Sequence, residues 1–410
     1  MTQSKALEIL KSGKSVFLTG EPGAGKTYTI NQFTQWLRQN EVAFAITAST
    51  GIAATHVGGV TIHSWSGIKI KKVITDNALQ NMMMDERLVS RVCESQVLII
   101  DEVSMLDANF INMLDQVLKR VRGEVFMPFG GIQVVFVGDF FQLPPVSRDG
   151  PVDYAFKSQA WQDAELVVCY LTEQHRQSEP VYLDLLKAMR DGTIEQKHKD
   201  LLRSCTTQAE PGTHLYTHNV DVDLMNDAEL EKLPGEEHVY RARFEGDQYS
   251  IEFLKKSCIT PEILRLKEGA LVMFTRNNFD EGYVNGSIGT VIRFEEGQPV
   301  VQITDGTIIR PERAEWEMED SGRVKASMRQ YPLRLAWAIT VHKSQGMSLD
   351  SAAIDLSRCF EYGQGYVAIS RVRSLAGLHL AGLNAKAFAI HPDVVEADKL
   401  FRTKSAEYDS

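Results

Sequence analysis

The chain is poor in the features that staple, anchor or export a protein. Its 5 cysteines among 410 residues (Cys93, Cys169, Cys205, Cys258, Cys359) are odd in number, scattered and never paired as C-x-x-C. That pattern offers neither a zinc framework nor a disulfide scaffold, so reduced structural thiols in a cytoplasmic protein are expected. The histidines also lack zinc-ligand spacing. No run of about eighteen apolar residues occurs, so no membrane-spanning helix is expected. The first residues, Met1-Thr2-Gln3-Ser4-Lys5, lack the apolar centre of a signal peptide. Positive charge is not in excess either, the formal net charge being −10. This argues against a surface that clings to nucleic acid everywhere, yet allows a local groove of hydroxyls, amides and stacking aromatics. What is left, 43% hydrophobic and 24% charged residues, is an ordinary globular composition with room for two or three domains.

The most informative stretch is Val16-Phe17-Leu18-Thr19-Gly20-Glu21-Pro22-Gly23-Ala24-Gly25-Lys26-Thr27. It reads as a strand, a glycine-rich loop and the start of a helix running to about residue 38. Gly20, Gly23 and Gly25 let the backbone turn tightly, so that its N–H groups can surround a phosphate. Lys26 is placed to reach the β- and γ-phosphates and the Thr27 hydroxyl to ligate Mg²⁺. The helix points its positive end at the same anion. The chain is therefore expected to bind a nucleoside triphosphate.

Up to about residue 165 strands alternate with helices, as in a parallel sheet with crossover connections. The strand-like runs are 15–18, 43–48, 97–100 and 134–137, with a polar insertion at about 66–94. A second series at 166–171, 213–217, 352–355 and 378–381 suggests a second α/β domain built from residues 166–233 and 330–410. Between these halves, residues 234–329 alternate short β-runs (239–244, 270–274, 289–294, 300–303, 307–309) with turns such as Asn285-Gly286 and Asp305-Gly306. This reads as a small β-barrel inserted into the second domain.

Several strand ends carry chemistry. Val97 to Ile100 leads into Asp101 and Glu102, of which Asp101 would hold Mg²⁺ and Glu102 would orient and activate water, marking hydrolysis of the nucleotide. The run 134–137 leads into Gly138-Asp139-Phe140-Phe141-Gln142-Leu143-Pro144-Pro145, where Gln142 can donate its amide to a γ-phosphate while its oxygen orients water. Arg176 and Arg371 are placed to bring positive charge to the γ-phosphate from a second domain, whereas Arg373 reads as a surface charge. Hydroxyl, amide and imidazole clusters suit a sugar-phosphate backbone: Thr50 in Thr47-Ala48-Ser49-Thr50-Gly51; Thr61 and His63 beside Trp65; Thr217-His218-Asn219; and His342 and Ser344 in Thr340-Val341-His342-Lys343-Ser344-Gln345-Gly346.

Together these phrases resemble the Pif-one (petite integration frequency) DNA helicases of superfamily one. The matching series runs from the phosphate loop through 47–54, 59–65, 101–106, 138–145, 171–176 and 338–350 to 367–372. Residues 102–122, with Met105, Leu106, Phe110, Leu114 and Val117 mostly at helical spacing, are similar to the family's signature segment. The resemblance implies an α/β fold of two RecA-like P-loop NTPase domains, the second carrying an inserted SH3-like β-barrel. It implies Gln3, seventeen residues before Gly20, as the adenine-reading glutamine. Pro22, Ala24, Tyr28 and Gly346 would join it at the nucleotide, and Pro144 and Ser348 would join the strand contacts; at Ser348 a threonine is common in the family. The implied cofactors are ATP and Mg²⁺, and the implied partners are single-stranded DNA and forked or structured DNA. Movement would be 5′-to-3′, by a nucleoid-associated protein that is a monomer in solution. From the residues alone, three other readings stay open: a RecD-like translocase without strong unwinding, a nucleotide-gated single-strand clamp, and a nucleoside kinase.

Overall fold

The computed structural model describes residues 1–410 except 70, 146–152, 174–178, 207–212, 277, 279, 284, 304–305, 321–322, 346–348 and 410. Its contacts divide the chain into two units, Met1–Ser178 with Ile390–Ser410, and Glu179–Ala389.

In the first unit, α1 (Gln3–Lys11) precedes β1 (Val16–Gly20) and α2 (Lys26–Gln39), followed by β2 (Phe44–Ala48), β3 (Val60–Thr61), β4 (Val97–Asp101), β5 (Gln133–Val137) and β6 (Val167–Leu171). The six strands form one sheet in the order β3-β2-β4-β5-β1-β6, with every pairing parallel. Both faces are covered, which is why β1 and β6 read as unbroken apolar runs and are buried at every position. The signature segment forms the helix Ala108–Arg122. Asp107 caps its start by accepting from Phe110 N at 2.7 Å, three basic residues stand in its last turn, and Gly123 ends it at φ 74°. Leu106, Phe110, Leu114 and Val117 are buried there, so the segment that resembles a family signature also builds the core. The polar insertion contains the helices Asp76–Met83 and Glu86–Glu94.

One expectation is corrected. The sequence pattern places the strand at 166–171 in the second domain, but β6 pairs with β1 in register from Val16↔Val167 to Gly20↔Leu171. A fully apolar run carries no mark of which sheet it joins, and spatial strand order departs from chain order. Residues 390–410 likewise belong to the first unit. Their helix Pro392–Ala406 lies on β6: Tyr170 donates its N–H to Ser405 Oγ (3.1 Å) and its hydroxyl to Asp398 Oδ1 (3.0 Å), while Phe401 packs on Phe17.

In the second unit, Ala338–Thr340, His214–Tyr216, Ala352–Leu356 and Leu378–Leu383 form a parallel four-stranded sheet in that order. The intervening segment holds an antiparallel five-stranded sheet of Ile308–Ile309, Gln298–Ile303, Ile288–Glu295, Leu271–Phe274 and Leu333–Leu335. Two smaller sheets accompany it, and one contains the hairpin of Ala314–Asp320 and Arg323–Gln330. The expected run 239–244 divides into His238–Arg241 and Arg243–Gly246, which pair in different sheets. Leu264, Leu266, Val272, Phe274, Val291 and Leu333 share one core.

Gly59 opens the segment that carries Thr61 and His63. A Cβ there would collide with the Ile46 carbonyl of β2. Gly59→Ala is therefore expected to destabilise the fold by about 1–3 kcal/mol through forced overpacking, read as a lowered denaturation midpoint. An unchanged midpoint would mean that β3 can shift freely.

Candidate nucleotide site and strand-contact residues

The sheet order places β4, β5 and β1 side by side, so the carboxylates, the Gly138 turn and the phosphate loop leave the same C-terminal edge. Ligands of open α/β sheets bind at such an edge. Gly20, at φ 146°, packs so closely on β6 that an added Cβ would lie 2.7 Å from Leu171 O. Gly23 and Gly25 have φ of 88° and 87°, the left-handed region that favours glycine. No side chain caps α2 at Gly25. Lys26 folds back on the loop, its Nζ donating to Gly20 O (2.7 Å) and Glu21 O (3.1 Å). Pro22 and Ala24 are buried, while Thr27 and Tyr28 are exposed at the start of α2.

Gln3 lies directly on this loop. Its Nε2 donates to Ala24 O at 3.2 Å, and a Cβ on Gly25 would collide with that same nitrogen. Its backbone N–H donates to Glu173 Oε2 at 3.0 Å, just beyond β6.

Asp101 ends β4 and accepts from Glu102 N at 2.8 Å. Burial pushes its carboxyl above the usual carboxylate range, while the Glu102 N–H and the Lys26 charge pull it down. Glu102 sits at φ 53°, ψ 44°, a left-handed conformation that costs a non-glycine residue about 1–2 kcal/mol. Such strain persists where the surroundings fix a side chain for a task. Asp139 is fully buried; its Oδ1 accepts from Phe141 N (3.2 Å) and its carbonyl from Gln142 N (2.9 Å), folding the turn that holds the buried Gln142 and Pro144. Among the described residues no group of three or more His, Cys, Asp or Glu could cage a metal. Mg²⁺ needs none, because it is bound through one or two oxygen ligands plus substrate phosphates and water. Thr27 and Asp101 fit that donor set, and a bound cation would favour the ionised form of Asp101.

The strand-contact candidates of the first unit double as local caps. Thr50 Oγ1 accepts from Ala53 N (3.2 Å), and Thr61 Oγ1 from Ser64 N (3.3 Å). His63 lies 4.4 Å from the Phe110 ring, and burial lowers its pKa. In the second unit Thr217 Oγ1 is 2.8 Å from His218 Nδ1, and the His218 and His342 rings both face Phe360, at 5.0 and 6.5 Å. His342 is held below the usual histidine range by burial and then by the His218 charge. Ser344 is buried and donates to Val341 O (2.8 Å), so its hydroxyl proton serves the backbone. Arg371 is 2% exposed, its Nε donating to Val367 O (2.9 Å) and its Nη2 to Ser370 Oγ (3.0 Å). Arg373 is exposed and paired with Asp350, as expected of a surface charge. Asn219 begins the helix Asn219–Lys232, but its side chain, like Arg176, Gly346 and Ser348, lies outside the described residues.

Three contributors escaped the sequence reading. Glu173 and Asp139 stand inside phrases that were singled out for their neighbours. Arg91 lies on the polar insertion and reaches back to the segment after β3, its Nε donating to Trp65 O (2.7 Å) and Nη2 to Ser64 O (3.3 Å). Only its place on the buried side of an amphipathic helix could have hinted at this. Arg91→Met is expected to weaken oligonucleotide binding about threefold to tenfold, by freeing the His63 segment at the cost of one or two charge-assisted bonds, while leaving DNA-independent hydrolysis unchanged. Fluorescence anisotropy and a nucleotide hydrolysis assay separate the two effects, and unaltered anisotropy would remove Arg91 from this role.

Residues 3–200 match the family model of PIF1-like helicases, and residues 251–294 match that of the DNA helicase Pif1 2B domain. The chain is 44% identical to the ATP-dependent DNA helicase Pif1 of Psychrobacter, covering 99% of this chain and 72% of that protein. With its Bdellovibrio bacteriovorus namesake the identity is 36%, covering 97% and 91%. A crystal structure of Bacteroides Pif1 in complex with ADP-AlF4 superposes with a TM-score of 0.86 at 29% identity, covering 98% of this chain and 96% of that one. The Candida albicans Pif1 helicase gives 0.77 at 33%, covering 98% of each. With matches over nearly the whole of this chain at this identity, and with the phosphate loop, Asp101-Glu102 and the Gly138 turn gathered on one sheet edge, the chain belongs to the PIF1-like helicase family.

Proposed function

We propose that this ATP-dependent DNA helicase moves 5′-to-3′ along single-stranded DNA and unwinds forked or structured DNA ahead of it. The observation that carries the reading is the edge shared by β1, β4 and β5, which brings a phosphate loop, two carboxylates and Gln142 together. Bacteroides Pif1 is known in a structure bound to ssDNA, and Pif1 helicases in a structure concerned with unwinding at forked dsDNA; this chain is 31% and 30% identical to those chains. Gln3 reads the adenine of ATP. Lys26 exchanges its two loop carbonyls for the β- and γ-phosphates. Thr27 and Asp101 would hold Mg²⁺, which when bound neutralises phosphate charge and polarises the γ-phosphorus. Glu102 orients the attacking water and accepts its proton, and Gln142 aligns that water on the phosphorus. Arg176 and Arg371 supply positive charge to the transferring group. Gly20, Pro22, Gly23, Ala24, Gly25, Tyr28 and Gly346 shape the nucleotide's surroundings. Thr50, Thr61, His63 and Pro144 grip the strand in one phase of the cycle, and Thr217, Asn219, His342, Ser344 and Ser348 in the other. The antiparallel insertion, which we assign to the SH3-like class, accompanies the second parallel sheet. The working form is a monomer acting in the cytoplasm at the nucleoid.

Strand displacement on duplexes with a single 5′ or 3′ tail tests the proposal. Unwinding of the 5′-tailed substrate alone is expected. Preference for the 3′ tail would overturn the direction, and hydrolysis without displacement on either would favour a translocase or a clamp.

A further inference from the structure

The second unit contains a cavity of about 340 Å³ lined by the helix Asn219–Lys232, by residues 258–265 of the insertion, and by Arg334 and Lys343. Arg334 projects from the strand Leu333–Leu335, which leads from the insertion back to the parallel sheet. It is 8% exposed, and its Nε is buried with no hydrogen-bond partner. Among the described residues neither Arg334 nor Lys343 forms an ion pair.

The remaining cations of the lining are already matched. Lys255 pairs with Glu262 at 3.3 Å, and Arg265 pairs with Glu237 at 2.8 Å and Asp227 at 3.3 Å. Asp223 is the one unmatched carboxylate among the lining residues, and its charge acts on both Arg334 and Lys343 without pairing with either. The unpaired groups therefore leave one positive charge in excess, carried by two cations close enough to repel. Burial and the Arg334 charge hold the Lys343 ammonium below the usual lysine range. Buried charges persist when paired and hydrogen-bonded, and an anion between the two cations would supply that pairing.

We propose that the cavity is an oxyanion site that holds a phosphate group between the Arg334 guanidinium and the Lys343 ammonium. A tetrahedral oxyanion can accept from the planar guanidinium fork and from the ammonium at once, which a guanidinium–carboxylate pair alone would not require. Two sources share this chemistry: a phosphodiester of the bound strand, because Lys343 lies between His342 and Ser344, or free phosphate.

Calorimetric titration of the intact chain with inorganic phosphate, at constant ionic strength and with saturating Mg²⁺–ADP to fill the phosphate loop, tests the site. The expected result is a saturable phosphate isotherm that weakens about tenfold or more in Arg334→Gln and in Lys343→Met, as removal of one charged hydrogen-bonding partner requires. Without phosphate, Lys343→Met is also expected to melt higher than the unaltered chain, because one of two mutually repelling cations is gone. That comparison stands even if Arg334→Gln fails to fold. Displacement of phosphate by oligo-dT would assign the cavity to the strand's phosphodiester, and independent binding would assign it to the free ion. Absence of phosphate binding in the unaltered chain, or binding unchanged in both variants, would overturn the proposal.

Discussion

Glu102→Gln is expected to bind ATP as well as the unaltered chain while hydrolysing it about 10²- to 10⁴-fold more slowly, the range contributed by a positioned general base. The substitution keeps size and shape, and the left-handed backbone at residue 102 stays as it is. The carboxylate's negative charge is lost, and with it the capacity to accept the water's proton. The measurement is steady-state hydrolysis with saturating oligonucleotide, alongside retention of labelled ATP on the protein. Slow turnover with retained nucleotide supports the role. Hydrolysis within a few-fold of normal would show that another group activates the water, and Asp101, Gln142 and the buried Asp139 would have to be weighed again.

Lys26→Ala is expected to lower hydrolysis by at least about 10²- to 10³-fold, the effect of removing one preorganised donor from a developing phosphoryl charge. Two local consequences accompany it. The loop loses the bonds from Lys26 Nζ to Gly20 O and Glu21 O, although the positive-φ glycines and the close approach of Gly20 to Leu171 still fix its path. Asp101 loses the charge that counteracts its burial, so its carboxyl moves further up and is neutral to a higher pH. ATP use by this variant should therefore begin to fall at a higher pH on acidification than in the unaltered chain. A pH series of hydrolysis rates checks this, and identical profiles would disconnect Lys26 from Asp101.

Much of the nucleotide site was legible because its parts are local in sequence. A strand, three glycines, a lysine and a threonine fall within one short phrase, as do the strand and its two carboxylates. Sheet order was not legible in the same way. Val167–Leu171 is as apolar as any central strand, so its place beside β1 rests on pairing and on the helix Pro392–Ala406, far away in the chain. Split strands were equally hidden: 239–244 reads as one run, yet its halves pair with different partners. The resemblance implies Gln3 as an adenine reader, but nothing near it in sequence announces its bond to Ala24 O of the phosphate loop. The hydroxyl clusters stand out in the sequence by residue type alone. Their bonds, however, are largely local, with Thr50 and Thr61 capping helices and Ser344 serving the backbone. Residue types show what a segment can bind, and only the fold shows which of its atoms are already engaged.

Steady-state ATP hydrolysis with and without poly-dT, at low salt and with Mg²⁺ in excess, tests most directly that the nucleotide site is coupled to a DNA strand. Strong stimulation by the oligonucleotide, lost in Glu102→Gln, is the predicted result. Hydrolysis of equal rate with and without DNA would contradict the coupling and leave the site that of a nucleotide hydrolase indifferent to nucleic acid.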